Sequence, residues 1–398
     1  MTTVALIGAN GHGQWHRRRI AEVEAAGRVR LVALADVRPL DPDPPVPPGV
    51  PVFTDHRELL AETSPDVVVI CTPPHTHLSI ALDAIAAGCD LLLEKPPVAS
   101  LAAHHTLAAS LNASGRACQV GFQALGSTAW QRFRDALPGL GESGRSGGPS
   151  GSGGPGGLRG PSGLGGITAT ASWQRDDAYY ARSPWAGRRV VAGRPVIDGA
   201  LVNPLAHAVM QALASAQAVG AGRPRHLAAE RYRVRPIEVE DTAFARITFD
   251  SGLHVVIAVT LAGEDFIPGE IAASGPGGRA VLEYPTDRLA LPGDAEPCRI
   301  EGRADLLTNL VDYREDGTPL LVPLDVTADF TTVLEALTVP DVPMPHLLDD
   351  SAVLIEGPRR TIPGINDLLR KVVETMALPS EMGVPWAVRP FTQRLPVT

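Results

Sequence analysis

Lysine is almost missing from this 398-residue chain: Lys95 and Lys371 are the only two, and arginine supplies the rest of the side-chain cationic charge. Thirty-five basic against 44 acidic residues leave a formal charge of -9, with no Lys/Arg-rich run. That balance argues against a nucleic-acid surface or an anionic membrane as partner. The four cysteines, Cys71, Cys89, Cys118 and Cys298, form no CxxC pair and no paired His/Cys spacing, so neither a zinc site nor a disulfide scaffold is expected. No apolar run reaches about 18 residues, which excludes an obvious membrane span. Met1-Thr2-Thr3 enters an apolar run without a basic segment, so no signal peptide is expected, and the expected setting is the cytoplasm. The chain is 44% hydrophobic and 20% charged, a soluble globular composition, and its length predicts two or three domains.

The most informative stretch is Leu91-Leu92-Leu93-Glu94-Lys95-Pro96-Pro97. Three apolar residues read as a buried strand, and the prolines forbid the ladder to continue, so Glu94 and Lys95 stand at the strand end. In open α/β sheets the crevice beyond such ends is where ligands bind. Lysine is notable here because arginine is the default base of this chain, and a group that must take up and release a proton cannot be arginine, whose pKa lies above about 12. A plain strand-end salt bridge is the competing account.

Upstream, the apolar run Val4 to Ile7 leads into Gly8-Ala9-Asn10-Gly11-His12-Gly13, followed by helical spacing over 14–26. Strand, glycine loop and helix are what a dinucleotide pyrophosphate requires, because glycines let the backbone approach and a helix start offers free N–H groups. Asn10 stands where a GxGxxG motif has its second glycine; asparagine tolerates left-handed backbone. A second strand, Arg30 to Ala35, ends at Asp36, placed to bind the adenosine ribose hydroxyls or, alternatively, to serve as an ordinary turn residue. Asp36 would repel a 2′-phosphate, favouring NAD over NADP, and Arg38 would partly offset that repulsion. After a proline-rich connection over 39–51, strands and helices alternate to Phe122, predicting a parallel doubly wound sheet.

The glycine loop with Asp36, then Cys71-Thr72-Pro73-Pro74-His75-Thr76-His77, Glu94-Lys95-Pro96 and Val120-Gly121-Phe122, in this order, resemble the Gfo/Idh/MocA oxidoreductases. The resemblance implies a Rossmann domain, placed at 1–124, and a C-terminal substrate and oligomerisation domain, 125–398, with a mainly antiparallel open-faced sheet. It implies that Gly8, Asn10, Gly11, His12, Gly13, Asp36 and Arg38 serve the cofactor. Thr72 and Pro73 would line its crevice, and Glu94 and Lys95 would flank the nicotinamide. His77 either joins that site or simply opens the following helix.

Helical spacing over 130–137 precedes the segment 139–166, almost all glycine, serine and proline, which reads as a flexible insertion unable to offset its ordering entropy. Strand alternation resumes over 168–173. The aromatic loop that follows includes Tyr179 and Tyr180, either sugar-stacking residues or buried anchors for the sheet, and Trp185 and Arg188, which resemble a segment preceding the family's catalytic helix and are candidate substrate contacts. In Asp198-Gly199-Ala200-Leu201-Val202-Asn203-Pro204-Leu205-Ala206-His207, Asn203 and His207 are four apart and would share one helical face. The family resemblance implies an acid and a histidine at that spacing, which with Lys95 form the catalytic set. Asn203 departs from the pattern, leaving proton transfer to His207 and Lys95. Hairpin spacing over 230–284 predicts the antiparallel sheet; the resemblance implies that this sheet packs against a second subunit, and Glu240-Asp241 either match the family pattern or, more simply, are surface acids.

The expected function is NAD(P)-dependent hydride transfer at a hydroxyl-bearing carbon of a sugar, inositol or related polyol. The alternatives are a nucleotide-binding regulator without turnover, which the Asn203 departure favours, and redox-assisted glycoside cleavage.

Overall fold

The computed structural model describes residues 1–142, 163–339 and 341–396. Two compact units are present: residues 1–126 with 303–331, and 127–302 with 332–398. The insertion expected at 139–166 falls mostly on 143–162, outside the described residues.

In the first unit, strands β1 (Thr2–Ile7), β2 (Val29–Ala35), β3 (Val52–Phe53), β4 (Val67–Ile70), β5 (Asp90–Leu93) and β6 (Cys118–Val120) form one sheet in the order β3-β2-β1-β4-β5-β6. Every pairing is parallel. Helices α1 (Gly13–Ala25), α2 (His56–Thr63), α3 (Pro74–Ala86) and α4 (Leu101–Ser114) connect the strands. The four residues of β4 and the four of β5 are all buried, the pattern of parallel strands covered on both faces by helices. The Asp55 and Ser100 side chains accept N–H groups at the starts of α2 and α4 and so fix where those helices begin. Strand order reverses between β1 and β4, which puts the ligand crevice beyond their carboxyl ends.

Segment 303–331 was expected in the second domain but belongs to this unit. Its helix Leu306–Asp316 is tied down by the buried Gln119 of β6, whose amide donates to Asn309 (2.5 Å) and accepts from the Val322 N–H (2.9 Å). Arg314 pairs with Asp66 at 3.0 Å and also with Asp90. The segment thereby engages the edge strand β6, whose backbone would otherwise be open to foreign strands. No local motif announces this return, because Asn309 lies 190 residues from its partner.

In the second unit, α5 (Thr128–Gly141) buries Ala129, Trp130, Phe133, Leu137 and Leu140, one apolar stripe that extends past the expected end at 137. Strand β7 (Gly166–Gln174), helix α6 (Asp177–Ala181) and the small hairpin β8 (Val190–Val191) and β9 (Arg194–Pro195) follow. Helix α7 (Ala206–Ala218) precedes strands β10 (Pro224–Arg233), β11 (Thr242–Phe249), β12 (His254–Thr260), β13 (Ala262–Gly275), β14 (Gly278–Glu283), β15 (Arg288–Ala290) and β16 (Cys298–Arg299). The sheet order is β16-β15-β14-β13-β7-β12-β11-β10, with His346–Leu347 and Phe391–Arg394 both on β10. The hairpins are antiparallel as expected, but β7 pairs with β12 in parallel, so the sheet is mixed.

The open face implied by the resemblance is partly covered here. Val256 and Ala258 of β12 share a buried cluster with Ile365, Leu369 and Val372 of the helix Ile365–Thr375. Residues of opposite parity, Val255, Ile257 and Val259, are buried as well, and α7 packs against β12.

Glu240 and Asp241 are not surface acids: both are buried. The Asp241 carboxylate accepts the Val234 N–H (2.9 Å) and the Thr242 hydroxyl (3.2 Å). Burial pushes its pKa up to about 6, more than those hydrogen bonds and the charge of Arg235 pull it down. An unfolded aspartate ionises near about pH 4, so the folded state holds the proton longer, and stability falls as pH rises from about 4 to about 6 and is level above that. Asp241→Asn removes this slope. In thermal unfolding the variant should gain on the wild type between about pH 4 and pH 7 by on the order of 2–3 kcal/mol; a stability difference independent of pH would contradict the assignment.

Candidate functional site

The glycine loop between β1 and α1 is shaped by close approach. Gly8 has φ +87°, and a Cβ there would lie 2.4 Å from the Cys71 carbonyl oxygen and 2.9 Å from the Thr72 side chain. A Cβ on Gly13 would lie 2.0 Å from the Gly8 carbonyl oxygen. Gly11 takes the left-handed turn (φ +59°), so the backbone freedom expected of Asn10 is not what that residue contributes. Asn10 is buried and acts through its amide, which donates to Pro39 O (3.1 Å) and accepts from Asp41 N–H (2.8 Å). The proline-rich connection is thereby tied to the loop. Asp36, just past the end of β2, accepts the Asn10 N–H (3.0 Å) and the Arg38 N–H (3.0 Å), and the exposed Arg38 guanidinium lies 3.9 Å away.

Glu94 is the centre of the second cluster. Its side chain is buried, and one carboxylate oxygen meets His16 Nε2 at 2.9 Å, the Gln123 amide at 3.0 Å and His12 Nε2 at 3.5 Å. The other oxygen accepts the Lys95 N–H at 3.0 Å. Burial acts to raise the Glu94 pKa, but the hydrogen bonds and charge interactions from His12 and His16 outweigh it and hold the carboxyl well below its usual range. A Cβ on Gly121 would come within 2.8 Å of this carboxylate, which accounts for the glycine after β6. One buried anion thus links the glycine loop, through His12, to the backbone that carries the half-buried Lys95.

His77 is buried, with Nδ1 2.9 Å from Pro96 O and Nε2 2.8 Å from Thr72 O. Burial pushes its pKa down against the pull of these carbonyls. Both ring nitrogens face main-chain oxygens, so the ring spans from the Thr72–Pro73 turn to the residue after Lys95. Thr72 is half-buried and Pro73 exposed, with the Thr76 hydroxyl donating to that of Thr72 at 2.7 Å.

In the second unit, Asn203 and His207 do not share a helix. α7 begins at Ala206, so His207 lies in its first turn and Asn203 in the turn before it. The Asn203 amide donates to Asp198 at 3.0 Å, and the buried Asp198 carboxylate also accepts the Gly187 N–H at 2.7 Å. His207 is half-buried, its ring centroid 6.4 Å from that of Tyr284. The aromatic loop is occupied by its own cations: the Arg182 guanidinium lies 3.6 Å from the Tyr179 ring centre and 4.8 Å from that of Trp185. Arg188 is exposed and pairs with Glu238 at 2.8 Å.

Sequence reasoning passed over His16, Gln123 and Asp198. The four-residue spacing from His12 was a usable signal for His16, and Asp198 opened a stretch already singled out. Nothing local marked Gln123, which reaches Glu94 across 29 residues.

Comparison with known proteins gives the context. Residues 2–122 match the profile of the Gfo/Idh/MocA oxidoreductase family, NAD-binding Rossmann fold. An inositol 2-dehydrogenase of Paracoccus denitrificans (strain Pd 1222) is 32% identical over 123 residues, 30% of this chain and 36% of that protein. A galactose 1-dehydrogenase of Pseudomonas fluorescens is 44% identical over 55 residues, 14% of this chain and 18% of that protein. The chain therefore matches well under half the length of either relative. Among solved structures, the WlbA dehydrogenase from Bordetella pertussis, in complex with NADH and UDP-GlcNAcA, superposes with a TM-score of 0.65 at 19% identity, covering 87% of this chain and 99% of that one. That likeness establishes the fold. Over residues 2–122 the chain is similar to the Gfo/Idh/MocA oxidoreductase family, and the matching family segment is its NAD-binding Rossmann fold.

Proposed function

We propose that the protein is an NAD-dependent dehydrogenase acting on a hydroxyl-bearing carbon of a sugar, inositol or related polyol. The observation that carries this reading is the buried Glu94 carboxylate, which holds both His12 of the glycine loop and the backbone of Lys95. Relatives named as inositol and galactose dehydrogenases support the substrate class.

The residues present fit the dinucleotide. The close approaches at Gly8 and Gly13 leave no room for a side chain there and keep the turn from β1 into α1 tight, as a backbone that approaches a pyrophosphate at a helix start requires. Asp36 keeps acceptor capacity for ribose hydroxyls beyond its two backbone bonds, and its charge opposes a 2′-phosphate. Thr72 and Pro73 line the same crevice, and His77 positions them relative to Pro96. NAD, when bound, accepts the hydride that leaves the carbinol carbon.

Lys95, as a neutral amine, is the base that takes the hydroxyl proton during oxidation and returns it during reduction. His207 is the second proton-handling group. Asn203 has no proton to exchange; Asp198 fixes its orientation. Trp185 and Arg188 are the proposed polyol contacts, by stacking and hydrogen bonding.

Two outcomes are expected. Asp36→Ala removes charge-assisted hydrogen bonds worth roughly 1.5–3 kcal/mol, so calorimetry should show NAD binding at least about tenfold weaker while NADP binding holds or improves; an unchanged preference would remove Asp36 from the ribose site. Lys95→Ala should lower kcat by about 100- to 10,000-fold with NAD affinity changed only a few-fold. Lys95→Arg should not restore it, because arginine keeps its proton. Turnover near the wild-type rate in either Lys95 variant would show that this side chain is not the base.

A further inference from the structure

His12, His16 and Glu94 form a cluster whose ligand-capable atoms all lie within 4.8 Å of one another. We infer that these three residues bind a divalent transition-metal ion of the zinc class at the start of α1.

The geometry is that of two imidazoles converging on one carboxylate oxygen. His16 Nε2 lies 2.9 Å and His12 Nε2 3.5 Å from the same Glu94 Oε1. Two ligand atoms on one tetrahedral zinc, each about 2.1 Å from the ion, are separated by roughly 3.4 Å. The His12 spacing already meets that value, and the His16 contact has to open by only about half an ångström. The ion then replaces the proton that each imidazole shares with the carboxylate.

Two further features favour the site. His16 and Glu94 are almost fully buried, with side-chain exposures of 3% and 8%, whereas His12 is 58% exposed; two ligands are held in place and the third can swing to admit an ion. Glu94 is also braced from outside the cluster, by the Gln123 amide at 3.0 Å and the Lys95 N–H at 3.0 Å, as metal-bound carboxylates commonly are. Two nitrogens and one oxygen leave the fourth position to water, and this donor set suits zinc, cobalt(II) or nickel rather than magnesium or calcium. The cysteine pattern gave no hint of it, because no thiolate takes part.

His12 belongs to the glycine loop that the proposed function gives to the dinucleotide, so ion and NAD exclude one another. The metal site itself stands on this chain's geometry alone, and only the exclusion rests on the cofactor seat.

The test is a Co2+ titration of the purified full chain, freed of nucleotide and metal, followed by the visible d–d absorption of cobalt. One equivalent of Co2+ should give a four- or five-coordinate spectrum that Zn2+ displaces. Loss of an outer partner alone costs roughly 10- to 100-fold in metal affinity, so loss of the ligand in His12→Ala should weaken Co2+ by at least about 100-fold. His12 is exposed, so this variant should fold, and circular dichroism checks that it does; His12→Cys, which restores a ligand, should recover binding. Saturating NAD should weaken Co2+ binding in the wild type. No specific spectrum, or one unchanged in His12→Ala, overturns the site; a His12-dependent spectrum that NAD leaves unaltered upholds the site and overturns the exclusion.

Discussion

The buried carboxylate of Glu94 is the constraint on which the first unit's chemistry depends. An isolated ionised carboxyl taken out of water would neutralise itself or destabilise the fold; here His16, His12, Gln123 and the Lys95 N–H supply its donors. Each donor comes from a different place: the glycine loop, the first turn of α1, the turn after β6 and the end of β5. Satisfying one anion therefore fixes four pieces of backbone at once, among them the glycine loop and the residue that carries the Lys95 amine. Gly121 belongs to the same arrangement, because any side chain there would displace the carboxylate.

The second unit repeats the device with different residues. Asp198 is buried and spends its oxygens on the Gly187 N–H and the Asn203 amide, and Glu240 is buried beside Gly199, where a Cβ would meet it at 2.5 Å. The turn before α7 is thus held by two internal acids. An asparagine at position 203 suits this arrangement, since its amide donates to Asp198 where a second carboxylate would repel it.

Much of this was legible in the sequence wherever spacing is local. The strands and helices of the parallel sheet follow from apolar runs and the proline stop after Lys95, and the glycine loop does lie between β1 and α1, with Asp36 just past β2. What escaped was long-range or depended on where a helix begins. The return of 303–331 to β6 depends on Gln119, Asn309 and Val322, and the burial of Asp241 depends on strands that a charged dipeptide does not reveal. Asn203 and His207 were read as helical neighbours because their spacing allows it, yet Pro204 separates them and the helix starts only at Ala206. Asn10 was assigned a backbone role that Gly11 fills, its own amide being engaged with Pro39 and Asp41 instead.

The chemical claim that unites these features is direct hydride transfer from a carbinol carbon, with the proton leaving through this chain's own side chains. Incubating the protein with NAD and a panel of cyclitols and sugars deuterated at carbon, then weighing the recovered nicotinamide by mass spectrometry, tests it most directly. The account predicts that at least one of these polyols transfers a single carbon-bound deuterium to the reduced nicotinamide. Reduced nicotinamide formed without deuterium, or none formed from any polyol by protein that still binds NAD, would contradict it.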